Sequence, residues 1–259
     1  MKLFALSDLH LGQSVDKPME VFGSRWDNHV ERMIHNWTTQ VGVGDCVLVG
    51  GDISWATTLE QALPDLELID RLPGTKVLLR GNHDYWWTTM SKMEQFCQAK
   101  GLSTLRFLRH DAMTQAGFYI CGTRGWLLPT DEAFDARDVK ILNREMIRLG
   151  LSLEALEKLR GLHGLKLPTL ALMHYPPISE KGIPSVLSDQ LERARIELCV
   201  FGHIHHHSPY YKSSPRVGSV RYIMTASDQL EFSPLLIGED GRLCVLPDES
   251  ASDENVEKN

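Results

Sequence analysis

Five short apolar runs in this sequence are each followed by residues that can bind a metal ion or transfer a proton. Such runs are typical of buried strands. The carboxyl ends of parallel strands meet at the edge of an α/β sheet where ligands bind, so we expect the side chains that follow these runs to share one site. They are, in chain order, Asp8 and His10; Asp52; Asn82, His83 and Asp84; His174; and His203 and His205.

The donor types of the candidate ligands indicate two metal ions. The set lacks a thiolate, has too many members for one tetrahedral site and has too few carboxylates for a calcium cage. Mixed nitrogen and oxygen donors suit two divalent or trivalent ions, such as Mn, Fe or Zn, about 3.5–4 Å apart with one bridging carboxylate. The candidate ligands are Asp8, His10, Asp52, Asn82, His174, His203 and His205.

Each of these residues taken alone also has an ordinary structural interpretation. An aspartate after a strand often forms a turn or caps a helix, and for Asp84 a cap of the segment near Thr88 is an alternative to a catalytic role. The metal-site prediction depends on five strand ends carrying such residues together. Gly51 and Gly81 precede two of the candidates, where the absence of a side chain lets the backbone turn sharply.

The elements that must position these residues alternate between strands and helices, which predicts an α/β fold with a sheet covered on both faces. Helical spacing is found around residues 26–41, 59–72 and 90–99, and from about 139 to 162 with a break near Gly150. Consecutive apolar runs after Phe201 predict a second, more antiparallel sheet at the C-terminal end. The predicted strands span residues 3–6, 46–49, 77–79, 119–121, 170–173, 198–201, 221–224, 234–237 and 243–246.

Composition limits the class of protein. Of the 259 residues, 42% are hydrophobic and 24% charged, which is typical of a soluble globular protein. We expect a single domain over residues 1–247 and a disordered acidic tail over residues 248–259. The formal net charge of -7 argues against binding to nucleic acid or to an anionic membrane surface. Scattered cysteines, with no signal peptide and no apolar run long enough for a membrane span, predict a cytoplasmic protein.

The candidate residues form a complete, ordered set of motifs that resembles the signature of the calcineurin-like metallophosphoesterase superfamily. That signature is D-x-H, G-D, G-N-H-D or G-N-H-E, a lone H, and G-H-x-H. Together the motifs are highly specific, and they span residues 8–205 here. They stand as Asp8-Leu9-His10, Gly51-Asp52, Gly81-Asn82-His83-Asp84, His174 and Gly202-His203-Ile204-His205.

The resemblance implies a fold and a role for each matching residue. The fold would be α/β, a four-layer sandwich of two facing mixed β-sheets flanked by helices. His83 would contact the phosphoryl group and protonate the departing alcohol, with Asp84 orienting its ring. The first metal would be held by Asp8, His10, Asp52 and His205, and the second by Asp52, Asn82, His174 and His203, with Asp52 bridging the two.

The small phosphoesterase and phosphodiesterase branch of the superfamily is the closest likeness. Ile53-Ser54-Trp55-Ala56 follows Asp52 where the serine/threonine protein phosphatases carry V-D-R-G, and His83 stands where the lipid A pathway hydrolases carry arginine. We therefore expect a metal-dependent phosphoric ester hydrolase in which metal-bound hydroxide attacks a small phosphorylated substrate, as a phosphodiesterase or a small-substrate phosphohydrolase. A phosphomonoesterase and a catalytically inactive scaffold of the same fold are the alternatives. We expect no membrane partner and no nucleic-acid partner, and the sequence leaves the oligomeric state open.

Two groups of residues near the motifs have more than one interpretation. Arg80 and Arg124 could supply positive charge to a phosphate, or they could form salt bridges. Tyr85, Trp86 and Trp87 could stack on a flat substrate group, or they could pack beneath the loop that carries His83.

Overall fold

The apolar runs form strands because both of their faces are buried, one against a second sheet and one against helices. In β1, for example, Leu3 faces the core between the sheets and Phe4 faces the core beneath the helices. A computed structural model describes residues 1–245. Its strands are β1 (Lys2–Ala5), β2 (Cys46–Val49), β3 (Thr75–Leu79), β4 (Leu105–Leu108), β5 (Ala112–Gln115), β6 (Phe118–Thr123), β7 (Thr169–Met173), β8 (Leu198–Phe201), β9 (Arg216–Val217), β10 (Val220–Met224), β11 (Leu235–Glu239) and β12 (Arg242–Leu243).

These strands form two six-stranded mixed sheets. The first sheet has the order β12-β11-β1-β2-β3-β4, and the second has the order β5-β6-β7-β8-β10-β9. In both sheets the central strands run parallel, joined by helical crossovers, while β11 and β5 pair antiparallel with their neighbours. The α/β fold of two facing mixed sheets flanked by helices is thereby confirmed.

The helices cover the outer face of each sheet. Buried residues of α1, α2 and α3, such as Trp37, Ile69 and Met93, pack on the first sheet, and Leu149 of α4 and Leu187 of α5 pack on the second. None of the helices within residues 1–245 is long and apolar enough to cross a bilayer. The α-helices are α1 (His29–Gln40), α2 (Leu63–Arg71), α3 (Met90–Lys100), α4 (Asp138–His163), α5 (Val186–Arg193) and α6 (Pro209–Lys212).

Two predictions about these elements were wrong. Helix α4 is continuous through Gly150, because its apolar stripe of Leu142, Leu149 and Leu156 stays buried on both sides of the glycine, and this packing outweighs a cost of about 1 kcal/mol for glycine in a helix. The C-terminal strands do not form a sheet of their own. Strand β10 extends the second sheet beside β8, and β11 returns to cover the edge of β1 in the first.

Strands β4 and β5 were not predicted. Arg106 is exposed within β4 and all four residues of β5 are only half-buried, so neither strand has the continuous apolar run of a central strand. The predicted acidic tail, residues 248–259, lies outside the described residues, as does the last position of the strand predicted over residues 243–246.

The two sheets are joined at the carboxyl ends of β1 and β10. The Ser7 amide donates to the carbonyl of Thr225 (2.7 Å), and the Ser227 amide donates to the carbonyl of Ser7 (2.9 Å). The hydroxyls of Ser7 and Thr225 lie 2.8 Å apart and are buried. The residues that follow β1 are thus fixed relative to both sheets.

The core between the sheets should contribute strongly to the stability of this fold. Leu172 of β7 is fully buried there, so Leu172→Ala should lower the free energy of unfolding by about 2–5 kcal/mol through lost contacts and a residual cavity. The matched control is Leu162→Ala in α4, where the leucine is 82% exposed, and a change within about 0.5 kcal/mol is expected. Urea unfolding of both variants measures the difference. Equal effects of the two substitutions would contradict the placement of this core.

Candidate metal centre

The seven candidate ligands lie together at the carboxyl ends of β1, β2, β3, β7 and β8. Asp8, His10, Asp52 and His174 are buried, and the other three are half-buried. Strands from both sheets contribute, because the sheets meet at this end. The ligand assignment remains a prediction, and the fold brings the seven predicted side chains to one place.

The first group of donors consists of Asp8, His10 and His205. Their candidate ligand atoms all lie within 4.8 Å of one another. The Nε2 atoms of His10 and His205 are 3.3 Å apart, so both rings direct Nε2 toward the same position. A cation between them could accept both lone pairs.

The second group consists of Asp52, His174 and His203, whose candidate ligand atoms again lie within 4.8 Å of one another. The amide oxygen of Asn82 lies 2.7 Å from Nε2 of His174. Asn82 therefore joins this group, which gives it the membership that the sequence resemblance implies.

Asp52 lies between the two groups. Its Oδ2 is 3.9 Å from Nε2 of His10 in the first group, and its Oδ1 is 3.5 Å from Nε2 of His174 in the second. One carboxylate that presents an oxygen to each group is the arrangement expected of a bridging ligand.

The electrostatics of the two groups favour a cation. Burial is the main cause that raises the pKa of Asp8 and of Asp52, and the nearby His205 offsets this effect only in part. Oδ1 of Asp8 is buried and has no hydrogen-bond partner. Bound cations would satisfy this oxygen and offset the cost of burying the two carboxylates, so the residues present fit a pair of metal ions.

Three histidines of the site are suited to act as neutral donors. Burial lowers the pKa of His10, of His174 to about 3 and of His203 to about 2, so these rings are uncharged near neutral pH. For His205, burial acts to lower the pKa, but the hydrogen bond to Asp228 and the nearby carboxylates raise it. A neutral imidazole keeps one nitrogen lone pair for a metal.

Hydrogen bonds behind the site orient two of the rings. Nδ1 of His174 lies 2.9 Å from the carbonyl oxygen of Gly50, and Nδ1 of His205 lies 2.9 Å from Oδ1 of Asp228. In both rings Nδ1 donates to an oxygen, which leaves Nε2 free to face the site. Asp228 was not among the predicted residues. It follows the end of β10 by four positions, so the rule that placed the other candidates at strand ends could have found it.

His83 lies at the edge of the two groups. Its Nε2 is 4.0 Å from Oδ2 of Asp52, and its side chain is 35% exposed. The ring packs against Trp55, with centroids 4.4 Å apart, and the His83 amide donates to Oδ1 of Asp52 (2.8 Å). The ring can therefore reach both the metal groups and the space in front of them.

Within residues 1–245, the carboxylate of Asp84 makes its hydrogen bonds to other groups and none to the ring of His83. The role predicted for Asp84, to orient the His83 ring, stays a prediction. The carboxylate is fully buried, and burial raises its pKa to about 7 against the effect of several N–H donors. The Asp84 carboxylate joins the loops that follow β2 and β3 by hydrogen bonds and so stabilises the loops that carry Asp52 and Asn82. The donors to the carboxylate are the amides of Ile53, Ser54 and Gly81 and the indole N–H of Trp86.

The loops that carry the ligands hold several residues in left-handed backbone conformations. Asp8, His10, Asp52 and His203 all have positive φ, between 46° and 73°, a region that costs a non-glycine residue about 1 kcal/mol or more. At Gly81 a Cβ would overlap the backbone and carboxylate of Asp52. The close approach of the second and third ligand loops thus requires glycine at this position.

A cavity of about 790 Å³ opens beside the two metal groups. His10, Asp52 and His83 form part of its wall, and the remaining lining is rich in aromatic and apolar groups. Of the three aromatic residues after Asp84, Trp86 and Trp87 are buried and pack beneath the loop, whereas Tyr85 is 61% exposed and lines the cavity. The apolar and aromatic lining residues are Met19, Phe22, Trp26, Trp55 and Tyr85.

Three proteins of known structure are similar to this chain, and the first of them supports the fold. A protein of Thermus thermophilus, TT1561, aligns over 92% of this chain and 98% of its own, with a TM-score of 0.55 and 10% identity. Phosphopantetheinyl hydrolase (PptH) of Mycobacterium tuberculosis aligns over 98% of both chains with a TM-score of 0.49 and 16% identity. A protein of unknown function from Aquifex aeolicus, AQ665, covers 91% of this chain and 95% of its own, with a TM-score of 0.46 and 13% identity. No curated protein matches the sequence.

The sequence profile of a protein family matches most of the chain. The profile described as calcineurin-like phosphoesterase covers residues 1–207, which include all of the candidate ligands. The family consists of hydrolases of phosphate esters that depend on two metal ions, and both candidate groups of ligands are present here. The chain belongs to the calcineurin-like phosphoesterase family.

Proposed function

We propose that this protein is a phosphodiesterase or a hydrolase of other small phosphate esters whose organic group occupies the aromatic cavity beside the metal centre. The observation that carries the proposal is the position of His83, which lines this cavity together with Asp52 and His10. A phosphoryl group at the metal groups would have its leaving alcohol next to His83. The apolar lining favours an ester that carries an organic group on the cavity side over a small, fully polar one.

Two metal ions bound by the candidate ligands would supply positive charge for the phosphoryl oxygens and for water, which reduces the repulsion between an anionic ester and an anionic nucleophile. Asp52 fixes the relative position of the two ligand groups. Asp228 and Gly50 hold the rings of His205 and His174 with Nε2 directed inward. These contacts preorganise the site, so little rearrangement is needed when the ester binds.

His83 would act on the leaving group. As the oxygen of a water molecule bonds to phosphorus, the bond between phosphorus and the ester oxygen breaks and its electron pair goes to the ester oxygen. The protonated imidazole of His83 can then transfer a proton to that oxygen. Packing against Trp55 limits the movement of the ring, and the hydrogen bond from the His83 amide to Asp52 limits that of its backbone. The products are then the free alcohol and the remaining phosphate group.

The catalytic test uses the full-length protein loaded with manganese. It should hydrolyse bis(p-nitrophenyl) phosphate or p-nitrophenyl phosphate, and Asp52→Asn should reduce kcat by at least about a hundredfold, because the bridging charge between the metal ions is lost. The matched control is Asp189→Asn, which changes an exposed aspartate on α5 and should leave kcat unchanged. Release of p-nitrophenolate measures the rate, and elemental analysis measures the metal. Undiminished turnover by Asp52→Asn would refute the proposed site.

The proposed role of His83 is tested by the leaving group. In His83→Asn the metal content should stay near wild type, and kcat should fall by about 10²–10⁴-fold for an ester with a poor alkoxide leaving group. The loss should be much smaller for p-nitrophenyl esters, because p-nitrophenolate departs without a proton. His35→Asn, at an exposed position of α1, serves as the control. An equal loss for both kinds of ester would exclude His83 as the proton donor, and loss of metal would identify it as a ligand.

The aromatic cavity should contribute to substrate binding. Phe22 lines it and is 58% exposed, so its ring is available to an organic group. Phe22→Ala should raise KM for bis(p-nitrophenyl) phosphate by about fivefold, which corresponds to about 1 kcal/mol of lost apolar contact, with little change in kcat. Val21→Ala is the matched control, because Val21 is the adjacent exposed residue and does not line the cavity. The same KM for both variants would place the organic group elsewhere.

A further inference from the structure

A second cavity, separate from the aromatic one, lies at the ends of β3, β4 and β6 beside α4. Its volume is about 80 Å³. A water molecule needs about 10–15 Å³ by the same measure, so this space holds several waters or one small tetrahedral ion. We call it the arginine cavity, after the lining residues Arg80, Arg109, Arg124 and Arg148; Glu145 and His110 also line it.

The single acidic residue in the lining is already satisfied. Glu145 is fully buried and accepts hydrogen bonds from the hydroxyl of Thr123 (2.8 Å) and from Nη1 of Arg148 (2.6 Å). The guanidinium of Arg124 lies 3.5 Å from the same carboxylate. The negative charge of Glu145 is therefore already shared by Arg124 and Arg148, and none is left for the other two arginines of the lining.

The side chains of Arg80 and Arg109 have no acidic partner among residues 1–245. Nε of Arg80 is buried and makes no hydrogen bond, a costly state for a charged group. Asp111, a further acid nearby, accepts from the backbone amide of Arg109 (2.7 Å) and does not line the cavity. The lining thus carries four guanidinium groups and one carboxylate.

The remaining titratable residue of the lining does not reduce this excess. Burial, followed by the charges of Arg148 and Arg109, lowers the pKa of His110. A neutral His110 adds no charge, yet it can still donate one N–H to a ligand. The excess positive charge of the lining therefore favours an anion that accepts several hydrogen bonds.

We propose that the arginine cavity is a binding site for a tetrahedral oxyanion of the size of phosphate, distinct from the metal centre. Guanidinium groups bind such ions through paired N–H donors. The site adjoins the metal centre through the backbone. Arg80 directly precedes Gly81 and Asn82, and the carbonyl of Arg124 accepts from the amide of His174 (3.1 Å). The proposal concerns binding alone and does not rest on the proposed hydrolysis.

The test is calorimetric titration of inorganic phosphate into the full-length chain carrying Asp52→Asn, with no metal added, so that phosphate at the metal centre does not contribute. Phosphate should bind to this protein. Adding Arg80→Gln and Arg109→Gln should weaken the binding by at least tenfold, because the two unpaired charges are removed. Adding Arg144→Gln instead, at an exposed arginine of α4, should leave the binding unchanged.

Circular dichroism and urea unfolding establish that the variants are folded. Phosphate binding that survives the double substitution, or its absence from the starting protein, would overturn the proposal. A titration with phenyl phosphate separates two sources of the ion. Similar binding of both ligands means that the cavity accepts the phosphoryl group of an organic molecule, and binding of inorganic phosphate alone means that it takes the free ion. Either result leaves the catalytic test unaffected, since that test uses the unchanged arginines.

Discussion

The burial of two aspartates at the junction of two sheets is the constraint on which the rest of the site depends. Asp8 and Asp52 sit in a region almost without solvent, where an uncompensated carboxylate is strongly disfavoured. His10, His174 and His203 are neutral, and His205 is hydrogen-bonded to Asp228, so the histidines offset the charge of the two carboxylates only in part. Cations would supply the rest of the positive charge, and a site that is expensive to form without metal therefore has a physical reason to bind it tightly.

The fold supports this arrangement with local strain. Strands place the ligand loops at one edge, but the left-handed conformations of Asp8, His10, Asp52 and His203 are what turn the side chains toward a common space. Such conformations persist because the neighbouring backbone is held on several sides. The backbone hydrogen bonds of Ser7 with Thr225 and Ser227 hold the first ligand loop in place. The carboxylate of Asp84 holds the second and third ligand loops.

Much of this arrangement could be predicted from the sequence, because the strand-end rule depends only on short-range patterns. The runs over residues 46–49 and 198–201 form strands with those bounds, and each candidate ligand follows a strand. What the sequence did not provide depends on tertiary contacts. The pairing of β11 with β1 depends on which strand edge is unpaired in the folded sheet. Two donors to the Asp84 carboxylate, the amides of Ile53 and Ser54, come from a loop that is distant in sequence. Asp228 is an exception, because it follows the predicted strand over residues 221–224 and the strand-end rule extends to it.

The turn after β3 lies between two cavities, one lined mainly by aromatic and apolar groups and one lined by four arginines. His83 borders the large aromatic cavity, and Arg80, three residues earlier, borders the small cavity with excess positive charge. Gly81 and Asn82 between them are held against Asp52 and His174, so a shift of this turn would alter both spaces and the second group of ligands together. An anion in the arginine cavity would oppose the repulsion among the guanidinium groups that flank the turn. The position of a candidate metal ligand, Asn82, is thereby linked to the charge balance of a cavity that it does not line.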